Sequence, residues 1–177
     1  MLGRLRSIFL LAIAVPALLA APQSGPEISA PEKVLTAPEA AKLLPDAVFF
    51  HGQSAPIQAR NSSGVQFKKD SFFLVALVDT SGYSTSVQAK YQAYLITEAP
   101  IEIEGHLLVP GAYGCGFIAG GNFIVMDIGG HDIFTVHSSK DSDLRRPIPL
   151  QVLPATAGKG YRLYFGRDYV NFARSLQ

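Results

Sequence analysis

Val87-Gln88-Ala89-Lys90-Tyr91-Gln92-Ala93-Tyr94-Leu95 sets Val87, Ala89, Tyr91, Ala93 and Leu95 against Gln88, Lys90, Gln92 and Tyr94. Alternation of this kind puts apolar and polar side chains on opposite faces of an extended chain, and predicts a half-buried antiparallel strand. Val65 and Phe67 against Gln66 and Lys68, then Ile101 and Ile103 against Glu102 and Glu104, repeat the pattern. Residues 72–78 are apolar without a break, which predicts a central strand covered on both faces. Further strands are expected over 48–50, 107–109, 113–118, 123–128, 133–137, 150–153 and 161–165. Turn signals separate them: Pro110-Gly111, Gly120-Gly121-Asn122, Gly129-Gly130 and Gly158-Lys159-Gly160. Short strands at this spacing predict an all-β, mainly antiparallel domain, a single β-sandwich or partly closed barrel of about 8 to 10 strands.

Helical spacing is confined to the flanks. Thr36-Ala37-Pro38-Glu39 has the Thr-x-x-Glu spacing of a capping box with Pro in the first turn, so a short N-terminal helix is expected over 37–44, ending before Pro45. Tyr169, Phe172 and Ala173 are also helically spaced, and 167–175 is read as a short closing helix, with one more strand as the alternative. Arg4 and Arg6 precede an apolar run from Ile8 to Ala21 broken only by Pro16, the charged and hydrophobic regions of a secretory signal peptide. The run falls short of the roughly 20 residues that a membrane-spanning helix needs. A signal peptide over 1–20 is therefore expected, cut after Ala20, then a proline-rich disordered tether over 21–34, and the β-rich domain over 35–177.

The chain carries 15 basic and 14 acidic residues, and its longest basic pairs are Lys68-Lys69 and Arg145-Arg146. Nucleic-acid binding requires a continuous basic stripe, so none is expected. Eleven Phe and seven Tyr point to a core dominated by large rings. Cys115 is the single cysteine, so stability must come from packing without an internal disulfide, and the protein is expected in a bacterial periplasm or medium.

Candidate sites are sparse. His51-Gly52-Gln53-Ser54-Ala55 has the outline of a nucleophile elbow, but Pro56 and the short run to Arg60 leave no room for the helix that such a Ser needs, so an ordinary turn is expected. His131 and His137, beside Asp132, stand about 20 Å apart on an extended chain, too far to share one metal ion. His51 and His106 lack ligand spacing. Glu102 and Glu104 share a face at about 6 to 7 Å, a separation also found in catalytic carboxylate pairs, yet the alternation is that of a solvated strand. Asp141-Ser142-Asp143 lacks the glycine and distal Glu of a calcium loop. No metal or cofactor is expected, and no catalytic or ligand-binding residue is assigned.

From Gly105 to Phe117 the chain is dense in glycine yet still alternates, with Gly114 and Gly116 baring one face and Tyr113, Cys115 and Phe117 on the other. A bare face admits a close neighbour, but a bend or bulge is the expected reason. Cys115 is expected buried and inert. The phrase Glu104-Gly105 through Pro110-Gly111-x-Tyr113 resembles a local pattern of secreted bacterial β-sandwich domains of unknown function, and the resemblance implies the fold alone. The expectation is an exported, non-enzymatic sandwich binding a ligand or protein partner, with no membrane anchor after processing. A small hydrolase or isomerase built from separated loops, and an assembly module of a cell-envelope complex, are the alternatives.

Overall fold

The computed structural model describes residues 31–156 and 160–175. Two antiparallel sheets face each other, and neither closes on itself. The first holds β1 (Lys33–Leu35), β3 (Gln53–Lys68), β4 (Ser71–Val78), β5 (Ala93–Thr97), β8 (Gly111–Ile118), β9 (Asn122–Met126) and β10 (Asp132–His137) in the order β1-β3-β4-β5-β8-β9-β10, with β2 (Ala47–Phe50) paired to the start of β3. The second runs β12 (Gln151–Pro154), β13 (Tyr161–Phe165), β14 (Asp168–Arg174), β6 (Ile101–Ile103), β7 (His106–Leu108), with β11 (Ser139–Lys140) paired to β14. The expected all-β sandwich is what forms. It has more strands than expected, because pieces of two or three residues such as β1 and β11 are too short to alternate visibly.

Alternation assigns the core. Phe73, Val75, Leu95, Cys115, Phe123 and Val125 point from the first sheet towards Ile101, Ile103, Val152, Leu163, Val170 and Phe172 of the second, all buried. The ring of Phe73 stacks on Phe172 with centroids 4.3 Å apart. The other parity of β4, Leu74 and Ala76, is covered by Leu35 of β1, Ala40 of α1 (Ala37–Ala41) and Leu44 of the turn that follows α1. This explains the unbroken apolar run of β4, which is buried on both faces as expected. Glu39 accepts the Thr36 backbone N–H at 2.9 Å and its hydroxyl at 2.8 Å, so the capping box forms where it was read. Regular helix ends three residues earlier than expected, although Leu44 N–H still reaches the Ala40 carbonyl at 3.1 Å.

Several expectations require correction. Residues 168–174 are strand β14, with Val170 and Phe172 turned into the core, so the closing helix is wrong and its stated alternative is what forms. Lys33 and Val34 are not tether: they pair with Gln66 and Val65 in β1, since Val34 packs on the core. The signal peptide and the rest of the tether lie outside the described residues. The opening stretch is strand only from Ala93, because Thr85–Gln88 forms a helical turn, α2, and Tyr91 N–H bonds the Val87 carbonyl at 2.8 Å. Tyr91 then joins Phe50 and Tyr83 on the outer face of the first sheet, while Ala93 and Leu95 go inward. Gln92 extends the sheet with its side chain, donating to the Phe117 carbonyl at 2.8 Å and accepting the Phe117 N–H at 3.0 Å.

The glycine-rich strand also departs from expectation. β8 pairs continuously with β5 and β9, without a register shift, so no bulge explains its glycines. A Cβ at Gly114 would enter the Phe50 ring, and one at Gly116 would overlap the Lys90 carbonyl. Close approach of a ring and of a backbone is the reason these positions are bare. No helix among the described residues is long and apolar enough to cross a membrane.

Candidate functional site

A depression of about 930 Å³ lies where β1 and the β3–β4 turn meet the β12–β13 end of the second sheet. Val34 partners Val65 in β1 while lying against the core, and Pro154 and Tyr161 face each other across the β12–β13 pair. Together with Pro31 they give the cleft an apolar floor. The Tyr161 ring is held against Phe172 at 5.5 Å and Phe67 at 6.4 Å, so this wall is rigid. Ser63 ties the sheets beside it, donating to the Leu35 carbonyl at 3.2 Å and accepting the Val152 N–H at 3.2 Å.

Polar groups sit at the rim. Tyr161 donates its hydroxyl to Glu32 at 2.8 Å, and the other Glu32 oxygen lies 3.5 Å from Arg174 Nε. Burial first, and the Glu32 carboxylate second, push the Tyr161 hydroxyl above its ordinary pKa, so it stays a donor. Lys33, Lys68 and Lys69 also line the cleft. Lys33 is paired to Glu39 at 2.6 Å, and among the described residues no ion pair engages Lys68 or Lys69. The lining thus combines an apolar floor, one carboxylate countered by Arg174, and two cations without carboxylate partners. Such a mixture suits binding and orientation of a ligand.

Of the residues weighed from the sequence, Glu102 and Glu104 line one depression, beside Asn171. Ser54 lies exposed in β3 opposite Phe49, and His51-Gly52 is a two-residue hairpin turn with φ of 47° and 83° at its two residues, not an elbow. His131 faces Asp127, Nδ1 to Oδ2 3.0 Å, while Asp132 pairs with Lys90 at 2.7 Å. His106 stacks on Phe134 at 4.9 Å, and His137 lies exposed opposite Asn122. Among the described residues no group of three or more His, Cys, Asp or Glu is placed to hold a metal ion. Glu104, at φ 46° in the Glu104-Gly105 hairpin turn, accepts both the backbone N–H and the amide of Asn171, a structural clamp that Glu102 does not share. Asp141 accepts the Tyr164 hydroxyl at 2.9 Å and the Asp143 N–H at 3.1 Å, so that loop is held by its own hydrogen bonds. Cys115 is fully buried, as expected, and burial pushes its thiol up to about 12.

The fold and the cleft define a class: a two-sheet antiparallel sandwich with an apolar, cationic-rimmed cleft at one corner. Comparison with family models, with curated proteins and with solved structures finds no match.

Proposed function

We propose that this chain is an exported, non-enzymatic β-sandwich of the bacterial periplasm or medium, and that it binds a small apolar ligand in the corner cleft. The cleft carries the reading. Its volume of about 930 Å³ falls in the range of small-molecule sites, and Val34 and Tyr161, both packed on the core, offer apolar contact with Pro154 beside them. Export is supported by Arg4 and Arg6 followed by the short apolar run, and by a single cysteine that is sealed from oxidants.

Two measurements test this. Mature protein recovered from its host should begin near Ala21 and appear in the soluble envelope or medium fraction, and retention of Met1 in a membrane pellet contradicts export. Titration with a neutral hydrocarbon probe such as naphthalene should move the amide resonances of Val34 and Tyr161, and Val34→Gln should weaken binding by about fivefold by placing an amide on the floor. Shifts elsewhere with none at Val34 or Tyr161 contradict the cleft.

A further inference from the structure

We infer that the ligand of the corner cleft is a single-chain amphiphile with an anionic head, its tail on the floor and its head on Lys68 and Lys69; this rests on the reading of the cleft as a ligand site. Lys68 and Lys69 lie together at the β3–β4 turn, both exposed, and both line the cleft. Among the described residues the other cations beside it are committed, Lys33 to Glu39 at 2.6 Å and Arg174 to Glu32 at 3.5 Å. Among the described residues Glu32 is the only acidic one of the lining, and Arg174 and the Tyr161 hydroxyl both face it. Among the described residues, the positive charge of the rim without a carboxylate partner is that of Lys68 and Lys69. Lysine stems extend the apolar wall while their ammonium groups stay in water, which suits the boundary between tail and head. A cationic head would meet two ammonium groups, and a neutral one would leave them unused.

The test uses the processed full chain and three twelve-carbon probes, each below its micellar concentration: dodecanoate, dodecanol and dodecyltrimethylammonium. Calorimetry and amide shifts should rank them in that order. Lys68→Met with Lys69→Met, which keep an unbranched apolar stem, should weaken dodecanoate by about tenfold, to the level of dodecanol, since two exposed charge contacts are worth about that factor. Both positions are exposed, and circular dichroism of the variant checks that the fold is intact. Lys68→Glu with Lys69→Glu should reverse the order of the charged probes. Equal binding of dodecanoate and dodecanol, untouched by the lysine changes, overturns the anionic head while leaving the cleft as a ligand site. Absence of shifts at Val34 and Tyr161 with all three probes overturns both.

Discussion

The two faces of β8 are packed by different means. Inward, Tyr113 and Cys115 meet a sheet whose own side chains alternate, so regular structure fills regular structure. Outward, Gly114 and Gly116 meet a ring from a hairpin end and a carbonyl from the loop that follows α2. The contrast teaches where a sandwich can carry irregular chain: a strand stripped of side chains on one face lets a non-repeating segment come within contact distance and bury its rings there. Phe50 is the largest component of this outer layer to lie directly over a glycine, stacked on Tyr91 at 3.8 Å and edge-on to Tyr83 at 6.3 Å.

The contrast breaks most visibly at that ring. Phe50→Ala should cost about 3 to 5 kcal/mol, the range for a buried aromatic cut back to a methyl. Gly114→Ala alone should cost about 1 to 3 kcal/mol, because its Cβ collides with the ring. In the Phe50→Ala background the collision is gone, so Gly114→Ala should cost close to nothing, and the pair should be strongly non-additive. Urea midpoints of the four proteins read this directly. Additive costs would mean that Gly114 is glycine for some reason other than the ring.

The inward face is tested next. Cys115→Ser should destabilise by about 1 to 3 kcal/mol, since it buries a hydroxyl among Tyr113, Val125 and Phe117. The native thiol should react slowly with a thiol reagent and rapidly in denaturant. Fast labelling of the folded monomer would place Cys115 outside the core and dissolve the distinction between the faces.

Much of the inward face was legible, because period two is a local property: Phe73, Val75, Ile101 and Ile103 could be assigned to a core without knowing their partners. The outward layer was not. Val87 to Gln92 alternates as well as any strand, but a helical turn and a glutamine side chain standing in for backbone use the same residues differently. Tyr169, Phe172 and Ala173 show the converse ambiguity, where seven residues fit both periods and the pairing of β14 between β13 and β6 decides. The cleft had almost no local signal. Its floor joins Val34 to the paired residues Pro154 and Tyr161, far from it in sequence and adjacent only because β1 and β12 are neighbouring edges of the two sheets. Lys68-Lys69 was visible as a pair, but a pair of lysines has no meaning until an apolar floor is placed beside it.

The smallest effect lies in alkali. The Cys115 thiol moves from 9.0 to about 12 on burial, so folded protein holds its proton over an interval in which unfolded protein releases it. A raised folded pKa contributes stability that is complete below the unfolded value and is lost as pH rises towards the folded one, which here places the loss between 9.0 and about 12. Going from about pH 7.5 to 9.5, the share of Cys115 is on the order of 1 kcal/mol. Tyr91, buried against Phe50 on the other side of the sheet, is also raised by burial, but from 10.0, so its share enters about one pH unit later. Cys115→Ala should therefore remove the earlier part of the alkaline decline and leave the later part, measured as the change in unfolding free energy with pH for each protein. Identical slopes from pH 8.5 upward would mean that the thiol titrates as freely in the folded protein as in the unfolded chain, and that the inner face of β8 is open to water.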